Sequence, residues 1–299
     1  MQKKAAHKIP FVLLLIFTAI GLLQTYLTGN YFYITNFGYI GITIFIATYL
    51  HSRLRKDKKQ IGRYLSLILV GSYMLIYLGF IKHENMQLEG FFGYIFSGIF
   101  AGAALHYIVA KIVMPFFFGR AWCGWACWTA AVLDLLPWKK SPGRISKTGN
   151  IRYIIFTCTF IAVAWGHYLN GTPITTYDSF IWLAVSSIVY YLTGIIIAIL
   201  TKDNRAFCKY ICPVTPLLKL SAFSMSKFKV DMKSCIECNQ CVNACPMDIE
   251  ITRYAKENKR VLSSECIYCY SCKNVCPTDS IKTTWELDCS TKQYLRTRQ

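Results

Sequence analysis

Residues 235–246 read CIECNQCVNACP, and residues 266–277 repeat the pattern as CIYCYSCKNVCP. Both stretches have the form C-x2-C-x2-C-x3-C-P, in which closely spaced thiolates reach several irons of one cubane [4Fe–4S] cluster. In this pattern the fourth cysteine of each run ligates the cluster of the other run. The spacing therefore predicts two clusters, one on Cys235, Cys238, Cys241 and Cys276, the other on Cys266, Cys269, Cys272 and Cys245.

Zinc is the alternative for C-x2-C pairs. Two complete four-cysteine runs, each followed by proline, favour clusters over zinc. We expect residues 231–285 to form a small α+β unit whose folding depends on its clusters, because so short a segment buries little apolar surface. Ile249 and Ile251 precede the charged stretch 253–260, and Val261 and Leu262 follow it. These two apolar segments predict a hairpin between the two cysteine runs. Residues 286–299 are expected to be a tail.

The first 200 of the 299 residues hold long runs that are apolar on all sides. Runs of about 20 such residues match the thickness of a bilayer core. We predict an α-helical membrane domain over 1–200 with about six transmembrane helices. The predicted spans are 9–27, 31–50, 61–81, 91–118, 151–169 and 179–200, the fourth of which contains Lys111 and Pro115.

The formal net charge of +18 is unevenly placed. Lysines and arginines crowd before the first span and in the links between spans two and three and between spans four and five, whereas the alternate links are nearly bare. This alternation is typical of the positive-inside rule and argues against nucleic-acid binding. It predicts a bacterial cytoplasmic (inner) membrane protein in contact with lipid, with both termini and the ferredoxin-like unit in the cytoplasm.

A second cysteine motif is repeated 85 residues apart. Residues 119–128 read GRAWCGWACW and residues 204–213 read NRAFCKYICP. If the segments are helical, each C-x3-C pair lies on one helix face. Arg120 and Arg205 are expected to lower the pKa of nearby thiols. The repeat favours a functional role over inert burial, as joint ligands of a metal or cluster, as redox dithiols, or as an anchor near a quinone, for Cys123, Cys127, Cys208 and Cys212.

Other single residues carry weaker predictions. Cys158 and Cys289 stand alone and are expected to be bystanders. His106 and His167 fall within or near predicted spans, but at different depths, which favours packing or a hydrogen bond to a quinone over paired haem ligation. The basic stretch 201–230 is expected to be a linker, either interfacial or solvated.

C-x3-C pairs at predicted cytoplasmic helix ends, followed by the two-cluster run, resemble one membrane family. That family includes the membrane ferredoxin subunit of periplasmic nitrate-reductase systems, the polyferredoxin-like part of the nitrous-oxide-reductase regulator and the membrane protein that assists cbb3 oxidase assembly. The resemblance covers about 91–285. Members usually carry C-x3-C-P at both sites, whereas here Pro213 follows only the second pair and Trp128 follows the first.

The resemblance implies a quinol dehydrogenase-like subunit that moves electrons between the quinone pool and cytoplasmic clusters, with other redox subunits or a soluble carrier as partners. Two alternatives stay open. Thiolates favour Cu(I), so the four membrane-edge cysteines suit a copper reductase or oxidase assembly factor. A redox sensor is the other alternative, although no output domain is visible in the sequence.

Overall fold

The computed structural model describes residues 9–100, 102–145, 148–170, 176–220, 225–288 and 292–298. Residues 9–201 form helices that we number α1 (Ile9–Thr28), α2 (Phe32–Arg53), α3 (Gln60–Ser72), α4 (Leu88–Phe96), α5 (Gly102–Tyr107), α6 (Met114–Phe118), α7 (Ala121–Trp125), α8 (Trp128–Leu133), α9 (Ile151–Asn170) and α10 (Thr176–Thr201). A π-helix over Tyr73–Ile81 continues α3, a second over Ile108–Val113 joins α5 to α6, and a 3-10 turn over Thr148–Asn150 precedes α9.

Within the described part of the chain, four helices are long and apolar enough to cross a membrane: α1, α2, α3 with its π-helical extension, and residues Asp178–Thr201 of α10. Their outer faces expose large apolar side chains, for example Leu15, Ile76 and Leu192. So much exposed apolar surface is consistent with membrane association. Two of the six predicted spans are not among these four: 91–118, which is divided into separate helices, and 151–169, which falls in α9.

The predicted fourth span is divided into separate helices. Its first helix, α4, ends at Phe96, and the chain reverses direction before α5 begins at Gly102. Gly98 and Gly102 have φ values of +69° and +50°, which glycine adopts without steric cost. The π-helix over Ile108–Val113 lies just before Pro115, whose ring and missing N–H disfavour a regular α-helix there.

Around the start of α4 the chain passes along α10 and carries polar side chains into the helical layer. Asn85 Nδ2 donates to the Ser179 carbonyl at 3.2 Å, Gln87 Nε2 donates to Ser187 Oγ at 2.6 Å, and Tyr190 OH donates to Glu89 Oε1 at 3.0 Å. These contacts are spread over about 16 Å of α10, from Ser179 to Tyr190. The helix α4 then turns back along α9, where Phe92 packs on Phe156 and Phe96 on His167.

Beyond α10 the chain forms two short helices, α11 (Ala206–Tyr210) and α12 (Thr215–Leu220), and then a compact α+β unit. In that unit, β1 (Ser226–Val230) pairs antiparallel with β2 (Ile281–Trp285), with Val230 opposite Ile281. The helices between these strands are α13 (Gln240–Asn243), α14 (Ile251–Lys256) and α15 (Ser271–Val275). Phe228 and Val230 of β1 and Ile281 of β2 lie in a core that also contains cluster-motif cysteines.

The hairpin predicted between the two cysteine runs is wrong. Residues Ile251–Lys256 are helical, and Ile251, Tyr254 and Ala255 are buried at helical spacing. The apolar residues that suggested strands, Ile249 and Val261, lie in the same core, and only isolated bridges form near them. Tertiary burial therefore overrides a β-like local pattern.

The stretch 201–230 is largely built into the protein. Residues Ala206–Tyr210 are buried, as are Leu217 and Leu218 of α12, and β1 belongs to the α+β unit. Residues 292–298 of the tail also pack against the rest of the chain, with bridges between Leu295 and Ile249 and between Thr297 and Arg144. The ferredoxin-like unit thus extends beyond 231–285 on both sides.

Candidate iron–sulfur and membrane-edge cysteine sites

Two cavities in the α+β unit are each lined by four cysteines. The cavity nearer the helices, which we call the proximal site, is lined by Cys245, Cys266, Cys269 and Cys272. The other, the distal site, is lined by Cys235, Cys238, Cys241 and Cys276. The fourth cysteine of each run therefore lines the cavity of the other run. These are the two groupings that the spacing predicts.

The loops around the two cavities have matching backbone conformations. The residues on either side of the second cysteine have positive φ in both runs: Glu237 and Asn239 in the first, Tyr268 and Tyr270 in the second, all between 51° and 59°. Asp248 and Asp279, three residues after each fourth cysteine, repeat the pattern. Non-glycine residues adopt this conformation at a cost, and such costs concentrate at functional sites. The repeated conformation curls both loops around their cavities.

The chemistry of the lining fits iron–sulfur clusters. Burial raises the pKa of the Cys245 and Cys266 thiols to about 12 and that of Cys241 to about 11, so bare thiolates are costly there. A bound cluster supplies the positive iron that makes the thiolate form favourable. Among the described residues, no three histidine, cysteine, aspartate or glutamate side chains are close enough to hold a single metal ion. The spread of the thiols suits a multi-iron cluster better than a tetrahedral zinc ion, whose thiolates stand about 2.3 Å from the metal.

The proximal site lies directly against the membrane-edge segment. The amide of Arg120 donates to the Cys266 carbonyl at 3.3 Å, and Trp125 Nε1 donates to the Tyr268 carbonyl at 3.0 Å. A Cβ on Gly124 would lie 2.1 Å from the Ile267 carbonyl oxygen, so only glycine allows this approach. Helix α3 adds a further contact, because Gln60 Nε2 donates to the Cys269 carbonyl at 3.1 Å.

The two C-x3-C motifs, although 85 residues apart, meet in the structure. Arg205 Nη1 donates to the Cys123 carbonyl at 2.9 Å, and Arg120 Nη2 donates to the Cys208 carbonyl at 3.4 Å. The arginine of each repeat thus donates a hydrogen bond to the backbone carbonyl of the first cysteine in the other repeat. The thiols of Cys123, Cys127, Cys208 and Cys212 also lie within electrostatic range of one another. We call these four residues the membrane-edge site.

The local fold of the two pairs is the same. Helices α7 and α11 end after their first cysteine, and the amides of Cys127 and Cys212 bond to the carbonyls of Trp122 and Phe207. The second cysteine of each pair therefore lies beyond a helix end, so the predicted one-face helical pair is wrong. A short helix follows each, and Trp128 begins α8 at the position where proline is favoured. Its backbone packs closely on Gly71 of α3.

Buried ion pairs tie the motif arginines to two carboxylates that the sequence analysis missed. Arg205 and Arg63 both bond to Asp134, at 2.6 and 2.9 Å. Glu265 has four cationic partners within 2.9 Å, namely Arg120, Arg144, Arg152 and Lys219. Burial alone would raise the Glu265 pKa, but these cations outweigh it and hold that pKa well below its usual value. The sequence feature that could have identified Glu265 is its position directly before Cys266.

Arg205 and Arg120 act on the pKa of the thiols in the expected direction, but burial outweighs them. Burial raises the pKa of Cys208 to about 12 and that of Cys212 to about 11, although Arg205 and Arg120 act in the opposite direction. Desolvation of a thiolate in an apolar setting exceeds the benefit of one adjacent guanidinium. Stable thiolates at this site therefore need a further source of positive charge, such as a bound metal centre.

The remaining single-residue predictions have separate outcomes. His106 packs on Trp122 at 4.9 Å and His167 on Phe96 at 6.0 Å, so the two histidines contact different rings. Cys158 is exposed on α9. Cys289 lies outside the described residues.

Comparisons with known proteins agree with the cysteine geometry. A family model described as a 4Fe-4S dicluster domain matches residues 227–277. A second, described as a 4Fe-4S binding domain, matches twice, at residues 90–146 and 180–231, and each match contains one C-x3-C pair.

Two similar proteins come from Methanocaldococcus jannaschii. The uncharacterized protein MJ0749 is 29% identical over 212 residues, which cover 67% of this chain and 76% of the relative. The uncharacterized protein MJ0750 is 26% identical over 225 residues, covering 66% and 86%. No solved structure matches the chain. The matched domains and the cysteine-lined cavities together show a 4Fe-4S ferredoxin-type protein with an iron–sulfur electron-transfer role.

Proposed function

We propose that this protein is a membrane-bound relay that moves electrons between the quinone pool and a redox partner through two [4Fe–4S] clusters. The observation that carries the proposal is the docking of a cluster-binding domain on apolar helices, with the proximal site in direct contact with the membrane-edge segment. Cys245, Cys266, Cys269 and Cys272 would hold the proximal cluster, and Cys235, Cys238, Cys241 and Cys276 the distal one. The clusters supply one-electron carriers whose potentials the protein tunes.

The basic ends of the helices support a cytoplasmic location for the ferredoxin domain. Lys56, in the link between α2 and α3, pairs with Asp279 at 2.6 Å, and Arg152 at the start of α9 pairs with Glu265 at 2.7 Å. The positively charged ends and the cluster domain thus lie on one side of the helices. By the positive-inside rule that side faces the cytoplasm.

Buried polar groups in the helical layer support a quinone as the membrane reactant. Quinol oxidation releases two protons with its two electrons, so it needs proton acceptors near the reacting ring. Glu89 is buried, and its Oε2 has no hydrogen-bond partner in the part of the chain that the structure describes. Ionisable groups at such depth mark functional pathways.

The position of Glu89 connects this polar path with the cysteines. Tyr190 donates to Glu89, and its ring lies 5.6 Å from that of Phe207, the residue before Cys208. Tyr107 is within electrostatic range of Glu89, Cys127 and Cys212. We assign Glu89 as the proton acceptor of the quinol reaction, with Tyr190 orienting its carboxylate.

The test is anaerobic electron transfer in proteoliposomes that hold the purified full-length chain. Menadiol should reduce the clusters, or menadione should oxidise the reduced clusters, as followed by EPR and visible absorbance. In Glu89→Gln the rate should fall about 100-fold, because a positioned proton acceptor contributes about that much. Gln87→Leu serves as a control for local packing. Cluster potentials far from that of the quinone couple, with no exchange in either direction, would refute the quinone assignment.

The convergence of four thiols also favours a second function, a thiol-dependent copper reductase with the clusters as electron source. Soft thiolates select Cu(I). This function requires that Cys123→Ala with Cys208→Ala abolish Cu(II) reduction while quinone reactivity persists. Loss of quinone reactivity in the same variant would reject it.

A further inference from the structure

The membrane-edge site is made of equal contributions from the two halves of the repeat. Each half supplies one buried cysteine, Cys123 or Cys208, and one half-buried cysteine, Cys127 or Cys212. Each half also sends its arginine to the carbonyl of the other half's first cysteine. The arrangement therefore has an approximate two-fold symmetry. The reciprocal contacts bring the two pairs of thiols to one place in the structure.

The buried positive charges near the four thiols would be stabilised by an anionic group. Six largely buried cations (Arg63, Arg120, Arg144, Arg152, Arg205 and Lys219) share the two carboxylates of Asp134 and Glu265, and buried Lys111 has no ion-pair partner among the described residues. An uncompensated buried charge is strongly destabilising. Arg120, Arg205 and Lys111 lie within electrostatic range of the thiols.

Lys111 is the buried cation near the thiols that has no carboxylate partner among the described residues. Its side chain is 4% exposed, and its ammonium lies 3.9 Å from the centre of the Trp122 ring. In the described ranges it forms no ion pair with a carboxylate. Thiolate ligands of a metal centre at the membrane-edge site would supply the missing negative charge.

We propose that Cys123, Cys127, Cys208 and Cys212 together hold a third iron–sulfur cubane at the membrane edge. The proposal rests on the electron-relay function and extends it. The 4Fe-4S family match in this region contains two cysteines per copy, which is half of a ligand set. The structure supplies the pairing, because it brings the two halves to one place.

The position of this third cluster would complete a path from the membrane to the distal site. Cys123 and Cys208 share a hydrophobic core with Cys245, Cys269 and Cys272 of the proximal site. The Arg120 amide and the Cys266 carbonyl join the two sites directly. The two electrons of a quinol would pass one at a time from the membrane-edge site to the proximal site and then to the distal site, and its two protons would leave by way of Glu89.

Metal and sulfide analysis of the anaerobically purified full-length chain tests the proposal. The wild type should contain about twelve irons with matching acid-labile sulfide, because each cubane holds four. Cys123→Ala with Cys208→Ala should lower the content to about eight and leave the EPR signals of the proximal and distal clusters intact. Cys158→Ala, at an exposed lone cysteine on α9, should keep about twelve. Cys238→Ala should remove the distal signal instead.

A milder variant guards against misfolding of the double substitution. Cys127→Ser with Cys212→Ser changes the two half-buried cysteines and should also lose one cluster, with the dicluster EPR signals showing that the fold persists. About eight irons in the wild type, unchanged in the variants, would overturn the third cluster and leave the two-cluster relay standing. Stoichiometric copper or zinc that the variants lose would also overturn it. Wild-type protein without iron would refute the relay itself.

Discussion

Each cysteine run of the ferredoxin domain lines its cavity mainly with one loop, whereas each C-x3-C pair depends on a segment 85 residues away. The loops are preformed by backbone conformation, with non-glycine residues at positive φ around every run. The membrane-edge site depends instead on buried ion pairs, with Arg205 on Asp134 and Arg120 on Glu265. Local geometry fixes the first kind of site and long-range electrostatics the second.

The largest effect should come from removal of a proximal ligand. Cys245→Ala takes away a buried thiol at the centre of the domain core, and we expect loss of about four irons and of all electron transfer between the membrane and the distal cluster. Iron analysis and EPR measure the first effect, and menadiol-dependent reduction in proteoliposomes measures the second. Cys238→Ala, at an exposed distal position, should leave the proximal cluster reducible. Equal loss of proximal reduction in both variants would contradict the order of the sites.

The second effect tests the electrostatic half of the comparison. Glu265→Gln leaves Arg120, Arg144, Arg152 and Lys219 without their shared carboxylate, and we expect a loss of about 3–5 kcal/mol in the free energy of unfolding. Denaturant titration in detergent, followed by cluster absorbance, measures it. Glu250→Gln removes a mostly exposed pair with Arg253 and should cost at most about 1 kcal/mol. Similar losses in both variants would count against the role of the Glu265 cluster.

The same carboxylate predicts a pH dependence. The Glu265 pKa is held below that of an unfolded glutamate, near 4.3. Its stabilising contribution is therefore complete above about pH 4.3 and declines as the pH falls towards the folded-state pKa. The stability of the wild type should drop more steeply below that pH than the stability of Glu265→Gln, which lacks the group. Parallel curves for the two proteins would contradict this assignment.

The ferredoxin sites were the most predictable part of the molecule. The spacing within residues 235–246 and 266–277 predicts two ligand sets because each loop is short, and the same groups of four cysteines line the two cavities. The repeated C-x3-C motif likewise marked the membrane edge. Its reciprocal arginine contacts were not predictable, because they depend on how two distant hairpins pack.

The errors in the helical region have the same origin. Hydropathy treats 91–118 as one span, but the turn at Gly98 and Gly102 divides it, and polar residues near α4 bond to α10 instead of facing lipid. The 201–230 stretch was expected to be an interfacial or solvated linker because apolar residues and lysines alternate along it. Lys209 is in fact fully buried between Asp203 and Asp248, a pairing that only the tertiary structure creates.

A fourth prediction concerns the contact where the two kinds of site meet. Gly124→Ala places a Cβ about 2 Å from the Ile267 carbonyl, so the membrane-edge segment and the proximal loop must separate. We expect a loss of about 1–3 kcal/mol in stability and slower reduction of the proximal cluster, with an unchanged iron content. Gly166→Ala in α9 meets no atom within 4 Å and is the matched control. Unchanged reduction kinetics in Gly124→Ala would show that the close approach is not needed for electron transfer.

The smallest effect should come from the exposed edge of the distal site, where Lys56 pairs with Asp279 at 2.6 Å and donates to the Cys276 carbonyl at 3.0 Å. Both side chains of the pair are substantially exposed, so Lys56→Gln should change stability by no more than about 1 kcal/mol. Loss of the nearby cation should lower the reduction potential of the distal cluster, since a positive charge favours the reduced form. Redox titration by EPR in low salt measures this shift, and Lys256→Gln, whose exposed pair with Glu237 lies beside the same site, tests whether any nearby cation has the same effect. An unchanged distal potential in Lys56→Gln would mean that solvent screens this edge, and that the loop backbone alone sets the distal site.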